Sequence, residues 1–138
     1  MRRFVLDSSI TMSWYFADEA HSYAKAILEH MDESEAFVPT IWPIEVCNVL
    51  LVGERRGRQT AADAARFLAV LSAFSINVVD LIQWETLEEL IDVARRCNLS
   101  AYDASYLELA MREGLPLATL DQRLQTAAGE LGVQLAVV

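Results

Sequence analysis

Short apolar runs alternate with longer stretches of helical periodicity along the whole chain, and this alternation limits the possible folds more than any other feature. Five runs are short and apolar enough to be buried strands: residues 3–6, 36–38, 76–81, 117–120 and 133–138. Strands that are separated by helices are joined by crossover connections, so the sheet should be mainly parallel. The pattern predicts a three-layer α/β/α sandwich with a mainly parallel five-stranded sheet.

The stretches between these runs predict seven helices with recognisable ends. Pro43 stands in the first turn of its helix, where the missing N–H costs nothing, and Gly57 follows the same helix in the position of a C-cap. Gly114 and Pro116 together stop the sixth helix. The predicted helices cover residues 8–16, 19–31, 41–56, 60–74, 84–97, 101–113 and 122–131.

Composition indicates a single globular domain over residues 1–138. The chain is 54% hydrophobic and 22% charged, which excludes a disordered protein. No apolar run approaches the roughly 20 residues that span a bilayer. The apolar stretch after the two N-terminal arginines breaks at Asp7, short of the about 7–15 residues of a secretory signal. We therefore expect a cytoplasmic protein, in which Cys47 and Cys97 are buried free thiols.

The net charge of −9 argues against a protein that grips nucleic acid through a broad basic face. It does not exclude a nuclease whose acidic residues bind metal ions. Contact with nucleic acid would then be local and sensitive to salt.

Four carboxylates stand where a predicted strand or turn gives way to a helix. They are Asp7, Glu45, Asp103 and Asp121. In an open α/β sheet the carboxyl ends of the strands are where ligands and catalytic groups collect. Acids that converge there repel one another unless a hard divalent cation lies between them. The first hypothesis is therefore a magnesium or manganese site.

Each acid also has a purely structural interpretation. Asp7 and Asp121 precede helices and could be N-caps, and Glu45 lies in a first helical turn where negative charge is favourable. Ser100 and Asp103 have nearly the spacing of a capping box. Serine, threonine or asparagine would cap as well, however, and all four positions carry a full carboxylate. Two divalent ions about 4 Å apart can clamp the oxygens of a phosphodiester displacement, so the set favours phosphodiester hydrolysis.

The chain resembles the PIN domain over essentially its whole length. The motifs are LDSS, EVCNVL, LSAYDASYLELA and TLDQRL, and AYDASYLELAMREGLPLATLDQRL is the most specific segment. Members of this size resemble the toxins of VapBC toxin–antitoxin modules. That resemblance implies a Mg²⁺- or Mn²⁺-dependent endoribonuclease, usually homodimeric, that is silenced by a small DNA-binding antitoxin. It implies hydrolysis of RNA by water that the cation activates.

The resemblance also implies roles for individual acids. Asp7 and Asp103 would be the principal metal ligands, and Asp121 would complete the site directly or through water. Glu45 would bind a second metal ion or orient the attacking water.

Four polar neighbours of these acids are candidates for supporting contacts. Ser8, Ser9 and Thr119 match hydroxyl positions beside the acids and could hydrogen-bond to them. Asn48 follows Glu45 on the same helical face, so a polar contact between the two is expected.

Three arginines form the one dense basic cluster, Arg55, Arg56 and Arg58. They could contact RNA phosphates, or they could simply be cations placed favourably at a helix C-terminus. A second function also remains open, that of a catalytically weak module with the same fold that binds a partner protein. Metal-dependent cleavage would distinguish it from the enzyme.

Overall fold

A computed structural model describes residues 2–80 and 83–138 of the chain. Four strands form one sheet in the order β3-β2-β1-β4, and every neighbouring pair is parallel. They are β1 (Arg2–Leu6), β2 (Ser34–Pro39), β3 (Ile76–Val79) and β4 (Leu117–Ala118). The predicted parallel sheet flanked by helices is confirmed.

Within residues 2–80 and 83–138, seven helices accompany the sheet, and the last three have the predicted bounds. They are α1 (Ser8–Tyr15), α2 (Ser22–Glu29), α3 (Ile41–Arg55), α4 (Ala61–Ser72), α5 (Trp84–Cys97), α6 (Ala101–Glu113) and α7 (Gln122–Leu131), with 3₁₀ turns at Ala17–Glu19 and Met31–Glu33. The helix predicted over 19–31 is shorter because the His21 side chain accepts a hydrogen bond from the Tyr23 N–H and starts α2 there. Within the described ranges, no helix is both long and apolar enough to cross a membrane.

The predicted fifth strand, 133–138, is reduced to a single parallel bridge between Leu135 and Leu117. Leu117 N–H donates to the Gln134 carbonyl at 2.9 Å, and Ala136 N–H donates to the Leu117 carbonyl at 2.8 Å. The segment pairs no further because its neighbour β4 is only two residues long. The chain leaves the sheet after Ala118, and Leu120 N–H already donates to a side chain, Ser9 Oγ at 3.0 Å. The prediction of five full strands was therefore wrong, and the predicted end of β3 at Leu81 lies outside the described residues.

Helix α6 is the central helix of the fold. Seven consecutive residues from Ala104 to Ala110 are buried, and α6 contacts β1, β2, α5 and α7. Buried polar side chains in the middle of this helix have partners, since Tyr106 donates to Glu45 and Glu108 accepts from Arg112. Full burial of each large apolar side chain along it contributes about 1.5–3 kcal/mol. The N-terminus of α6, which carries Asp103, is therefore fixed by the core.

The two cysteines are free, but one prediction about them was wrong. Cys97 is partly buried, whereas Cys47 is exposed. Cys47 lies one turn after Ile44, which is 65% exposed, so this face of α3 points away from the core.

Candidate active site

Two neighbouring strands bring Asp7 and Thr119 together at the carboxyl edge of the sheet. Leu6 at the end of β1 is paired with Ala118 at the end of β4, so the next residues of both strands lie side by side. Asp7 N–H donates to the Ala118 carbonyl at 3.0 Å. Thr119 Oγ1 then donates to Asp7 Oδ2 at 2.6 Å. The parallel register places this pair, although the two residues are far apart in sequence.

Asp7 is almost fully buried, and hydroxyl groups hold one of its two carboxylate oxygens. Ser9 Oγ donates to Asp7 Oδ2 at 2.6 Å, beside the bond from Thr119. Burial raises the pKa of Asp7, and the charges of Asp103 and Asp121 raise it further, whereas the two hydroxyls oppose the shift. Asp7 Oδ1 accepts no hydrogen bond from the residues that the structure describes. One oxygen is thus fixed and the other is available to a ligand.

Glu45 shows the same arrangement on α3. Its Oε1 accepts a hydrogen bond from Ser8 Oγ at 3.4 Å and a short one from Tyr106 Oη. Burial raises the pKa of Glu45, and the Asp7 and Asp103 charges add to that shift, whereas the hydroxyl of Tyr106 and then that of Ser8 lower it. Across residues 2–80 and 83–138, nothing donates to Glu45 Oε2.

Asp103 and Asp121 lie at the N-termini of α6 and α7. Asp103 N–H donates to Ser100 Oγ at 3.1 Å, so the serine caps the helix. Burial raises the pKa of the Asp103 carboxyl and the Asp121 charge raises it further, whereas Arg123 and Ser100 lower it. Asp121 Oδ1 accepts from the backbone N–H groups of Arg123 at 2.8 Å and Leu124 at 3.3 Å. Asp121 is therefore an N-cap as well as a charge that acts on Asp7 and Asp103.

The donor set fits a hard divalent cation. All four groups are carboxylates, burial raises the pKa of Asp7, Glu45 and Asp103, and the charge of at least one other acid of the set raises each of these three further. Oxygen donors of this kind are what Mg²⁺ and Mn²⁺ prefer. The groups are close enough to interact through charge but are not gathered tightly, because the described part of the chain contains no cluster of three or more His, Cys, Asp or Glu at metal-binding distances. The ligand chemistry therefore fits, and the close convergence of a coordination sphere is not present.

The supporting residues behave differently from one another. Ser8, Ser9 and Thr119 donate to the predicted acids. Asn48 instead is exposed and lines a shallow pocket on α3, and no hydrogen bond joins it to Glu45 in the described structure. Tyr106 was missed by the sequence analysis. The available signal was its position three residues after Asp103 in AYDASY, one helical turn along the same face.

The three arginines of the basic cluster have different surroundings in the structure. Arg58 Nη2 lies 2.9 Å from both Asp18 Oδ1 and Glu19 Oε2, and its guanidinium carbon is 3.9 Å from the centroid of the Phe16 ring. The charge of Arg58 is thus paired within the protein, which weakens its interpretation as an RNA contact. Arg55 and Arg56 are exposed at the end of α3, so both interpretations stay open for them.

Comparisons with known proteins identify relatives of this chain by sequence and by fold. The family model described as PIN domain matches residues 4–130. The chain is 34% identical over 116 residues to a Pyrobaculum aerophilum protein named Exonuclease VapC9, and the match covers 80% of this chain and 82% of that protein. A crystal structure of PAE2754 from Pyrobaculum aerophilum shares 26% identity with a TM-score of 0.69, over 91% of this chain and 79% of that one.

A more distant structure has the same fold. Mycobacterium tuberculosis VapC20, described as a sarcin–ricin loop cleaving toxin, has a TM-score of 0.66 at 16% identity, over 90% of this chain and 94% of that one.

Proposed function

Because the chain belongs to the PIN domain family, we propose that it is a divalent-metal-dependent endoribonuclease acting as the toxin of a toxin–antitoxin module. One observation carries the proposal. At the carboxyl edge of the sheet, hydroxyl groups hold one oxygen of Asp7 and one of Glu45, and the charges of Asp103 and Asp121 bear on the same place. A fold has no need to bring four like charges together for stability alone.

The acids have distinct parts in this proposal. Asp7 and Asp103 would hold Mg²⁺ or Mn²⁺, and Asp121 would complete the site directly or through water. Glu45 would hold a second ion or orient the attacking water. When bound, a divalent cation would supply neutralisation of the carboxylates, a lowered pKa for water and stabilisation of charge on the phosphate.

The protein's own hydroxyl groups prepare the acids for that task. Ser9 and Thr119 fix Asp7 Oδ2, while Ser8 and Tyr106 fix Glu45 Oε1. Each acid therefore presents a defined second oxygen. Hydrolysis adds water across a P–O bond, so one proton must leave the water and one must reach the departing oxygen. Glu45, whose pKa is raised, is suited to orient the water and accept its proton.

The negative charge of the chain limits how an RNA substrate and an antitoxin could bind. With a net charge of −9, RNA would be held locally, with Arg55 and Arg56 as candidate phosphate contacts, so cleavage should weaken as salt rises. An antitoxin that presents a basic segment would match the acidic surface, and an arginine or lysine could enter the carboxylate site.

The active form would be a homodimer, in line with the resemblance to VapBC toxins.

The deciding experiment is cleavage of a structured RNA pool by the purified protein in Mg²⁺, Mn²⁺ or EDTA. The test variant is Asp103→Asn. The matched control is Asp63→Asn, which makes the same change in the first turn of another helix. We expect metal-dependent cutting that Asp103→Asn lowers at least about 100-fold, since even outer partners of metal ligands cost about 10–100-fold. The control should cut like the wild type.

The outcomes separate the competing functions. Full activity in Asp103→Asn would refute the proposed site. No cutting by a folded, antitoxin-free sample would favour the catalytically weak binding module. Because one relative is named an exonuclease, a circular RNA should be included: an endonuclease linearises it, whereas an exonuclease leaves it intact.

A further inference from the structure

We propose that Tyr106 is a positioning residue for Glu45, and that its hydroxyl fixes the Glu45 carboxylate so that Oε2 is presented to the divalent cation. The proposal rests on the nuclease function. It concerns a residue that does not itself touch the substrate. Tyr106 acts through a hydrogen bond to Glu45 Oε1, across 61 residues of sequence.

The position of Tyr106 in the core makes this bond rigid. Its side chain is fully buried, with 0% exposure, on the central helix α6. Tyr106 lies one turn after Asp103, so the same buried helix orients one acid directly and a second through the tyrosine hydroxyl. A glutamate side chain has several rotatable bonds and loses considerable freedom when it is fixed. A donor anchored in the core can hold it in one orientation.

Packing alone does not explain the choice of partner. A buried tyrosine hydroxyl usually has an acceptor, but a neutral backbone carbonyl would serve. Tyr23 shows that solution in the same protein, since its hydroxyl donates to the Ala136 carbonyl at 2.6 Å. Tyr106 instead donates to the side chain of Glu45, a carboxylate that is partly buried on α3. Holding such a group in place costs solvation, so the contact points to a functional constraint on Glu45.

The same arrangement recurs at a second acid of the site. Asp7 Oδ2 accepts from two hydroxyls, those of Ser9 and Thr119, and Glu45 Oε1 accepts from two hydroxyls, those of Ser8 and Tyr106. In both acids the other oxygen has no donor within the described ranges. In each carboxylate, two hydroxyls thus hold one oxygen and leave the other open to a ligand. Ser8, Ser9 and Thr119 each stand within two residues of an acid in the sequence, whereas Tyr106 and its acceptor Glu45 are 61 residues apart.

The test is Tyr106→Phe, which removes one hydroxyl and keeps the ring. The matched control is Tyr23→Phe, which removes a tyrosine hydrogen bond to a backbone carbonyl instead of to an acid. We expect Tyr106→Phe to lower kcat by about 10–100-fold, the usual cost of losing a partner of a ligating carboxylate. KM for RNA should change little, and Tyr23→Phe should retain wild-type kcat. Thermal unfolding confirms that both variants are folded.

A double-mutant cycle distinguishes positioning from general damage to the core. If Tyr106 acts only through Glu45, then Tyr106→Phe causes no further loss of kcat in the Glu45→Gln background. An equal loss in both backgrounds, or wild-type kcat in Tyr106→Phe, would overturn the inference.

Titration of Mn²⁺ into RNA-free protein separates failure of the inference from failure of the nuclease function. If the wild type cleaves RNA, the kcat of Tyr106→Phe relative to Tyr23→Phe tests the positioning role. If the wild type cleaves no RNA, the nuclease function fails, and the affinity for Mn²⁺ decides instead. Weaker Mn²⁺ binding in Tyr106→Phe than in Tyr23→Phe would then support the positioning role, and equal binding would overturn it.

Discussion

Two helices of this protein begin with the same local pattern and use it differently. α4 begins after Thr60 with Asp63 in its first turn, and α6 begins after Ser100 with Asp103 in its first turn. At α4 the capping box is complete, because Asp63 N–H donates to Thr60 Oγ1 at 3.1 Å and Thr60 N–H donates to Asp63 Oδ2 at 2.9 Å. At α6 the serine caps Asp103 N–H, but the reciprocal bond from the Ser100 N–H is not formed. The carboxylate of Asp63 is thus hydrogen-bonded at the N-terminus of its own helix, whereas the carboxylate of Asp103 lacks that bond.

The electrostatics of the two acids differ accordingly. The backbone N–H of Thr60 and then its hydroxyl hold the pKa of Asp63 below its ordinary value, and Arg66 contributes as well. Burial and the nearby Asp121 raise the pKa of Asp103. A charge with a lowered pKa stabilises the fold, whereas one with a raised pKa is held at a cost. The same cap pattern therefore hydrogen-bonds the carboxylate to its helix at the surface, and leaves the carboxylate without that bond beside other acids.

The largest expected difference between the two acids is in stabilisation by metal. At about 100 times the Kd, a ligand that binds only the folded state adds about 2.7 kcal/mol to the free energy of unfolding. We expect Mg²⁺ or Mn²⁺ to stabilise the wild type and Asp63→Asn to this extent, and Asp103→Asn far less. Urea unfolding with and without metal measures the effect. Equal stabilisation of all three proteins would show that the two helix N-termini do not differ in this way.

Sequence predicted those parts of the fold whose signals are local. The bounds of α5, α6 and α7 match because the residues that end these helices, Asn98, Gly114 and Gly132, adopt the left-handed conformation typical of C-caps. The fifth strand failed because the length of a strand depends on its neighbour, and β4 offers only two residues. The sequence of residues 133–138 does not show how long the neighbouring strand is.

The site was predictable to the same degree. The parallel pairing of β1 with β4 explains why acids after these strands come to one edge, and the sequence pattern predicts a parallel sheet. The contact of Tyr106 with Glu45, and the absence of a capping bond to the Asp103 carboxylate, depend on which elements pack around α6. A hydrogen bond across 61 residues cannot be read from spacing.

A smaller difference is expected in stability without metal. Thr60→Ala removes the side-chain cap of α4 and should lower the free energy of unfolding by about 1 kcal/mol, as is usual for an N-cap. Asp103→Asn should raise that energy, because it removes one of the mutually repelling charges. Chemical denaturation in EDTA measures both changes. A loss of stability in Asp103→Asn would mean that its carboxylate supports α6 as Asp63 supports α4.

The smallest expected difference is in the pH dependence of stability, and the two acids should act in opposite directions. The folded pKa of Asp63 lies below its ordinary value of 3.8, so its favourable contribution is complete above 3.8 and is lost as pH falls through the folded pKa. The folded pKa of Asp103 lies above 3.8, so the folded state binds its proton more tightly than the unfolded chain does. Its contribution is therefore most favourable below 3.8 and is lost as pH rises through the folded pKa.

These opposite signs make the comparison testable with two asparagine variants. In EDTA, the stability advantage of the wild type over Asp63→Asn should shrink as the pH is lowered toward and below 3.8. The advantage of Asp103→Asn over the wild type should instead grow as the pH is raised from 3.8 toward neutrality, because the wild-type carboxylate then ionises beside other acids. Urea midpoints across a pH series measure both trends. If the two variants diverge from the wild type in the same direction, the charges at the two helix N-termini have equivalent environments, and the distinction drawn from the capping geometry fails.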